Sequence, residues 1–285
     1  MIFDASALIY RFYHALPPLT NSKNELIQGI YGVANVILKV LLETKPDFAA
    51  AALDSKEKTF RKEEFQEYKI HRPGAPDELV QQLKILPEIF PMFGIRAFKK
   101  PGFEADDLIG TISEKFKNEL DLKITIISGD LDMLQLVSGE KIVAEIIKSG
   151  ANNNEIYDEK KVIERYGLTP KELPDYKGLI GDVSDNIPGI KGIGPKAAQK
   201  LVSEFKTIEE IYENLAIITP RIAEKLEGKK ENAFLFRRLS TIKRDVDIGL
   251  FGLNDLKIEE FRTEKLKEWL KTFGFQSLVK RLEQT

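Results

Sequence analysis

The sequence contains no cysteine among its 285 residues and only two histidines, His14 and His71. The absence of cysteine excludes disulfide bonds, thiolate metal sites and a cysteine nucleophile. Two histidines far apart in the chain do not form a zinc site of the usual kind, and we assign neither of them a catalytic role. A metal site in this protein must therefore use oxygen ligands, which favour magnesium or manganese.

The sequence also lacks a long apolar segment. No apolar run approaches the roughly 20 residues that a membrane-spanning helix needs, and the N-terminus carries no signal-peptide pattern. We therefore expect a cytoplasmic protein that does not contact a membrane. Hydrophobic residues still make up 42% of the chain, which is enough for a substantial core in one large domain or two smaller ones.

Strand and helix patterns alternate along the first half of the chain. Apolar spacing predicts helices over 26–43, 77–93 and 105–120, and apolar runs predict strands over 48–53, 95–98, 124–128 and 142–147. This alternation predicts an α/β fold with a mostly parallel central sheet flanked by helices. After about residue 155 the strand signals fade, and the patterns predict helices over 158–166, 170–180, 195–205 and 219–239. We therefore expect an α/β core over residues 1–155 and a C-terminal helical subdomain over 156–285.

Three of the apolar stretches run into an aspartate. Asp4 follows the short apolar stretch at residues 2–3, Asp54 follows residues 48–53, and Asp130 comes just after residues 124–128. If these stretches are neighbouring parallel strands, the three carboxylates meet at one edge of the sheet. Two such charges at 4 Å repel by roughly 1 kcal/mol in water and about 4 kcal/mol near a protein surface. A fold that gathers them usually needs a bound cation.

Six further acids lie in three short clusters. They are Glu104, Asp106 and Asp107, then Asp132, then Asp182 and Asp185. Taken alone, each cluster has an ordinary explanation, because acids favour helix N-termini, turns and solvated surfaces. Nine acids placed in this way along one chain favour a metal site instead.

The net charge of −2 does not by itself suggest a partner rich in phosphates. Setting aside nine of the 45 acids as metal ligands leaves 36 acids against 43 lysines and arginines. The rest of the surface is therefore free to be basic.

A glycine-rich turn at residues 189–196 precedes an apolar helix. Glycine lets the backbone approach a phosphate closely, Pro195 suits the first helical turn, and the helix N-terminus presents free N–H groups to an anion. Such a turn can also serve packing alone, but its position after the last acidic pair favours phosphate binding. The candidate contacts are Gly189, Lys191, Gly192, Gly194, Lys196 and Lys200.

The segment from residue 55 to residue 76 mixes basic and aromatic residues and has no clear periodicity. Such a mixture suits a single nucleic-acid strand, which offers both phosphates and stacking faces. A solvated helix whose cations pair with its own glutamates is the alternative. The candidate strand contacts are Arg61, Tyr68, Lys69 and Arg72.

Taken together, these motifs resemble the 5′ nuclease, or flap endonuclease, domain at the N-terminus of bacterial DNA polymerase I. The resemblance covers nearly the whole chain, including the residues around Asp4, the 53–73 segment, residues 102–107, residues 128–132 and residues 181–194. Two positions depart from the family pattern. Ala5 stands where glycine is usual, and Leu131 stands between the paired acids where lysine is common.

The resemblance implies a PIN-like 5′ nuclease fold and two Mg2+ or Mn2+ ions held by the nine acids. In this interpretation Asp4, Asp54, Glu104, Asp106 and Asp107 surround the first ion, partly through waters, and Asp130, Asp132, Asp182 and Asp185 serve the second. Asp106 or Asp130 bridges the two. Lys69 and Arg72 act on the scissile phosphate, and residues 189–196 form a duplex-gripping helix-hairpin-helix that can hold K+.

The implied activity is 5′-3′ exonuclease and 5′ flap endonuclease cleavage during replication primer removal and DNA repair. The implied substrates are DNA with a 5′ flap, a nick or a 5′ end, and RNA-DNA primer ends. We expect a monomer that is linked to a DNA polymerase or acts with one.

Two other classes of protein remain open from the sequence. A structure-specific DNA-binding protein without chemistry would use the same hairpin but has no need of nine acids. A haloacid-dehalogenase-like phosphatase also places aspartates at strand ends, but residues 4–8 lack the Asp-x-Asp-x-Thr pattern of its nucleophile.

Overall fold

Six β-strands form one sheet in the computed structural model, which describes residues 1–148, 154–250 and 252–284. In chain order they are β1 (Ile2–Asp4), β2 (Ala50–Leu53), β3 (Arg96–Lys99), β4 (Ile124–Ser128), β5 (Ile142–Ile147) and β6 (Asn154–Tyr157). Their order across the sheet is β3-β2-β1-β4-β5-β6. All neighbours are parallel except β6, which runs antiparallel to β5. The predicted α/β fold with a mostly parallel sheet is confirmed.

Both faces of the sheet are covered, which explains why its central strands are almost wholly apolar. Successive residues of a strand point to opposite faces. Ile2 and Ile126 accordingly belong to one buried cluster, whereas Phe3 and Ile127 belong to the other. The strands therefore carry two cores, one on each side of the sheet.

Of the α-helices in the described residues, all but the one at residues 60–64 contribute buried residues to one of these two cores. In chain order the α-helices are α1 (Ala5–Ala15), α2 (Gln28–Glu43), α3 (Phe60–Glu64), α4 (Asp77–Met92), α5 (Ala105–Phe116), α6 (Glu159–Tyr166), α7 (Leu173–Ile180), α8 (Pro195–Phe205), α9 (Ile208–Glu213), α10 (Pro220–Leu226), α11 (Lys230–Ser240), α12 (Glu264–Thr272) and α13 (Gln276–Glu283). Helices α5 to α11 contribute buried residues to the first cluster. Helices α1, α2, α4, α12 and α13 contribute to the second.

The C-terminal helices correct the expected organisation. Leu266 of α12 and Leu278 of α13 are fully buried against the face of the sheet that α1 and α2 cover. These helices therefore pack on the α/β core, although the sequence interpretation assigned residues 156–285 to a separate helical subdomain. The expected boundary at residue 155 also falls inside β6. The helix expected over residues 219–239 is in fact two helices, α10 and α11, separated by Gly228, whose φ is 66°.

Among the described residues, no helix combines the length and the apolar character needed to cross a membrane.

Candidate active site

The three aspartates at the strand ends lie at one edge of the sheet, as the sequence predicts. Asp4 ends β1 and caps α1, where its Oδ1 accepts the N–H of Ala7 at 2.9 Å and its Oδ2 accepts the hydroxyl of Ser128 at 2.6 Å. Asp54 lies one residue beyond β2, and its Oδ1 accepts the N–H of Ala105 at 2.8 Å. Asp130 lies two residues beyond β4. The parallel register of β1, β2 and β4 therefore brings the three acids together.

The first turn of α5 brings three more acids to this edge. Glu104 is the N-cap, and Asp106 lies in the following turn. Asp106 makes no hydrogen bond or ion pair with any described residue, and burial and the charges of Asp4 and Asp130 raise its pKa well above the usual aspartate value. Asp106 therefore has the electrostatic environment of an acid that binds a cation.

Asp107 has a different role from the one that the sequence predicted. Its side chain is fully buried and pairs with Arg61, whose Nη1 and Nη2 lie 2.7 and 2.8 Å from the two carboxylate oxygens. The same oxygens accept the backbone N–H groups of Glu104 and Lys243. Because both oxygens are already occupied, the predicted metal ligation by Asp107 does not fit this arrangement.

Arg61 corrects a second prediction. Its side chain is only 3% exposed, and besides Asp107 it donates to the backbone carbonyls of Leu239 and Thr241. It therefore ties α3 to the N-terminus of α5 and to α11, and it does not face DNA in this arrangement.

Tyr68 is also buried, with 2% of its surface exposed, so it offers no free face for base stacking. Its hydroxyl lies 3.0 Å from Oε2 of Glu104 and 2.9 Å from Oδ2 of Asp185. The residue instead joins the acid of α5 to the acidic loop that follows α7.

Lys69 and Arg72 both reach the acidic site. Lys69 Nζ lies 2.8 Å from Oε1 of Glu104 and 3.9 Å from Oδ2 of Asp185, and Arg72 Nη2 lies 2.8 Å from Oδ1 of Asp185. The backbone of Lys69 adopts φ 54° and donates to the carbonyl of Asp185 at 2.8 Å. A left-handed backbone at a non-glycine residue is strained and is typical of functional sites. The 68–72 segment is thus docked on the acids.

Asp182 and Asp185 enter the site on a tight loop after α7. Asp182 and Ile187 exchange two backbone hydrogen bonds of 2.8 Å, which close the loop. Oδ1 of Asp182 accepts from the N–H and the hydroxyl of Ser184. Asp182 and Asp185 thereby line the same small cavity as Glu104, Asp106 and Asp132.

Lys177 is a residue in contact with the acids that the sequence interpretation missed. Its Nζ donates to Oδ2 of Asp182 at 2.8 Å and to Oδ1 of Asp132, so it bridges the acid that follows β4 and the acid that follows α7. Lys177 and Asp132 are 45 residues apart in the chain, and no local pattern signals their contact.

The pKa values differ across the site. Burial raises the pKa of Asp4 to about 7, with a further contribution from Asp54 and Asp130. Burial also raises the pKa of Asp132 to about 6, although Lys177 opposes this effect. Burial alone would raise the pKa of Asp182, but Lys177 and Ser184 lower it below the usual value. The uncompensated charge therefore lies on the sheet side.

The donor set fits divalent cations in its chemistry. It consists of carboxylate oxygens, which Mg2+ and Mn2+ prefer. Asp4 and Asp106 have raised pKa values and form no ion pair with a described residue, although the charge of Lys69 partly opposes the rise at Asp106. Among the described residues, however, no three acids are arranged as a ready cation site. Tyr68, Glu104 and Asp132 line a cavity of only about 10 Å³, room for about one water molecule. Lys69 and Lys177 instead pair with acids of this site, Lys69 with Glu104 and Lys177 with Asp132 and Asp182.

The predicted hairpin joins α7 to α8. Gly189 and Gly192 have φ values of 66° and 87°, and a side chain at Gly189 would meet the backbone of Ile180 at 2.3 Å. Ile190 and Ile193 are buried in the first core.

Gly194 is the N-cap of α8, and Pro195 is its first residue. Lys191, Lys196 and Lys200 are exposed, so the hairpin presents cations and a free helix N-terminus on one surface.

Comparison with known proteins gives two family matches that together cover most of the chain. Residues 1–167 match the family described as 5′-3′ exonuclease, N-terminal resolvase-like domain. Residues 168–264 match the family described as 5′-3′ exonuclease, C-terminal SAM fold.

Two curated relatives illustrate the range of similar proteins. The chain is 44% identical over 284 residues to DNA polymerase I of Caldicellulosiruptor bescii, covering 99% of this chain and 33% of that protein. It is 35% identical over 283 residues to a 5′-3′ exonuclease of Aquifex aeolicus, covering 99% of this chain and 94% of that protein. The chain thus spans about a third of the length of its polymerase relatives.

Two solved structures share the fold. The T5 5′-exonuclease with bound zinc superposes with a TM-score of 0.68 at 21% identity, covering 100% of this chain and 97% of that one. The catalytic core of Rad2 in complex with a DNA substrate gives a TM-score of 0.61 at 21% identity, covering 100% and 91%. At this level of identity the likeness supports the fold alone.

Proposed function

The chain belongs to the 5′-3′ exonuclease family, and from this membership we propose that it is a divalent-metal-dependent nuclease that hydrolyses DNA phosphodiesters at 5′ flaps, nicks and 5′ ends. Replication primer removal, including RNA-DNA ends, and DNA repair are the processes that need this activity. One observation carries the proposal. Asp4 at a strand end and Asp106 of α5 lie close together without an ion-pair partner among the described residues, and burial and neighbouring carboxylates raise the pKa of both.

We assign the metal-holding role to eight of the nine acids. Asp4, Asp54, Glu104 and Asp106 would hold one ion, partly through waters, and Asp130, Asp132, Asp182 and Asp185 would hold the other, with Asp106 or Asp130 shared. We exclude Asp107 from this set because its carboxylate is paired with Arg61. Two bound Mg2+ or Mn2+ ions would supply a water acidic enough to attack at neutral pH and would neutralise the leaving oxygen.

The cations of the site have two roles in this proposal. Lys69 and Arg72 neutralise the charge of the acids when no metal ion is bound. Once ions neutralise the acids, the two side chains are free to stabilise the charge on the phosphate. Lys177 holds Asp132 and Asp182 in position from α7. The same cationic groups thus keep the acids gathered when no substrate is bound.

The hairpin supplies the grip on duplex DNA. Its exposed lysines and the N-terminus of α8 suit two successive phosphates, and it directly follows the Asp182 loop, so a bound duplex is placed beside the acids. The K+ ion expected at the hairpin stays a prediction, as do the monomeric state and the association with a polymerase.

The deciding experiment incubates the full chain with a 5′-labelled flap substrate, with Mg2+ or with EDTA. We expect cleavage near the junction with Mg2+ and none with EDTA. Cleavage that is equally fast in EDTA would contradict the metal-dependent mechanism. Tight flap binding without cleavage in either buffer would instead favour a binding protein without chemistry. Hydrolysis of a small phosphomonoester, the phosphatase activity, is expected to be absent.

A further inference from the structure

A second pocket lies beside the acidic site, at the β4–β5–β6 end of the sheet. Its volume is about 310 Å³, at the lower end of the range of about 300–1,000 Å³ for small-ligand pockets. Gly129 and Leu131 form one wall. Because these residues flank Asp130, a single turn of chain separates the pocket from the proposed catalytic acids.

The polar part of this pocket is positively charged. Arg11, Lys148 and Arg165 line it, and Lys161 lies close by, paired with Glu155 at 2.9 Å. Lys148 pairs with the same glutamate. In the described part of the chain, no carboxylate lies within ion-pair distance of Arg11 or Arg165, and Glu155 alone pairs with Lys148 and Lys161, so the pocket has an excess of positive charge.

The cations are held in place by the protein. Arg11 Nη2 donates to the carbonyl of Gly129 at 2.7 Å, and Arg165 Nη1 donates to the hydroxyl of Tyr157 at 3.1 Å. The ring of Tyr157 lies under both Lys161 and Arg165, at 5.1 and 5.9 Å. Their charges are thus presented at fixed places and need little ordering when an anion binds.

The remaining lining is apolar. Ile146 and Ile147 are buried, and Leu131 is half-buried beside them. Anchored cations over an apolar floor suit a phosphate with an attached sugar. They suit a purely apolar ligand poorly, because desolvating the cations would cost free energy without an anion to compensate.

We propose that this pocket binds a phosphodiester of the DNA strand next to the cleavage site, with Lys148 and Arg165 as the phosphate contacts. The proposal rests on the proposed function, since DNA reaches the pocket only when it lies across the acidic site. Eight clustered carboxylates repel an approaching strand, and the neighbouring cations offset that repulsion at the adjoining nucleotide.

The test measures binding without cleavage. Fluorescence anisotropy in EDTA, at a series of NaCl concentrations, follows a 5′-flap DNA and the matching nicked duplex binding to the full chain. The variants are Lys148→Gln, Arg165→Gln and the double variant. Lys117→Gln is a matched control, because Lys117 and Lys148 are 43% and 46% exposed and each pairs with one glutamate.

We expect each pocket variant to raise the Kd several-fold and to lower the salt dependence by about one phosphate contact, while Lys117→Gln leaves both unchanged. A loss seen with the flap alone assigns the pocket to the 5′ strand, and an equal loss with both substrates assigns it to the duplex backbone. Either result supports the proposal.

An unchanged Kd and salt slope in the double variant would overturn the proposal, and so would an equal loss in Lys117→Gln. Melting curves check that each variant is folded. Cleavage by the unaltered chain with Mg2+ is measured separately. Its absence would contradict the proposed function, whereas the binding series decides the pocket by itself.

Discussion

The two sides of the acidic site differ in how their charges are balanced. On the sheet side, Asp4 and Asp106 have raised pKa values and form no ion pair with a described residue. On the side of the loop after α7, Lys177 and Arg72 pair with Asp182 and Asp185. Ion pairs also reach Glu104 through Lys69 and Asp132 through Lys177, but none reaches Asp4 or Asp106 in the described part of the chain. A divalent cation therefore relieves the most repulsion at the sheet side, whereas the other side must first give up its ion pairs.

The strongest test of this contrast is Asp106→Asn. Removing one uncompensated charge should stabilise the metal-free fold, yet cleavage should fall by about 10³-fold, the upper range for the loss of one electrostatic group in an active site. Single-turnover cleavage of a 5′ flap and urea unfolding measure the two effects. A variant that cuts at the rate of the unaltered chain would contradict the assignment of Asp106.

The neighbouring change Asp107→Asn should act in the opposite way on stability. It breaks a fully buried ion pair and leaves Arg61 only its longer ion pair with Glu104 at 3.3 Å, which costs about 3 kcal/mol or more. The free energy of unfolding is read from urea titration, with Asp106→Asn as the matched control one position away. If both variants unfold at the same urea concentration, Asp107 does not have the structural role that we assign to it.

Lys69→Ala tests the same comparison by removing one of the cations that pair with the acids. We expect single-turnover cleavage to slow by about 100-fold and the Kd for flap DNA to change much less, because Lys69 touches the acids and acts at the transition state. Lys58→Ala, an exposed lysine of the same segment, is the control. Equal losses in cleavage rate and in affinity would show that Lys69 is only a binding contact.

The sheet side should also make stability depend on pH. Asp4 titrates at about 7 in the folded chain against 3.8 in its unperturbed state, so the folded state holds the proton more tightly. Its contribution to stability is present below pH 3.8 and is lost as the pH rises through about 7. We therefore expect the Tm without metal to fall between pH 5 and pH 8 by about 3 °C or more.

Magnesium should reverse this loss, raising the Tm at pH 8 more than at pH 5, because it replaces the proton on the acids. Asp4→Asn should flatten the pH profile. Calorimetry at pH 7 in buffers of different ionisation enthalpy should detect proton release when Mg2+ binds. A binding enthalpy that is the same in every buffer would show that no proton leaves.

The sequence predicted those parts of the site that depend on local patterns along the chain. The strands ending near Asp4, Asp54 and Asp130 were predictable because a sheet covered on both faces needs unbroken apolar runs. The Arg61–Asp107 pair and the Lys177 bridge join residues 46 and 45 positions apart, so no periodicity reveals them. The strand β6 was missed because its four residues, Asn-Glu-Ile-Tyr, carry too little apolar signal for an edge position.

The smallest expected effect lies farthest from the acids, at the hairpin. Lys196 is exposed in the first turn of α8, where its charge adds to that of the helix N-terminus. Lys196→Ala should weaken binding of nicked duplex several-fold and lower the salt slope by about one, with single-turnover cleavage at saturating protein nearly unchanged. This separation follows from the geometry, because the hairpin binds the duplex without touching the carboxylates. A fall in the saturated rate as large as that of Lys69→Ala would mean that the hairpin also positions the reacting phosphate.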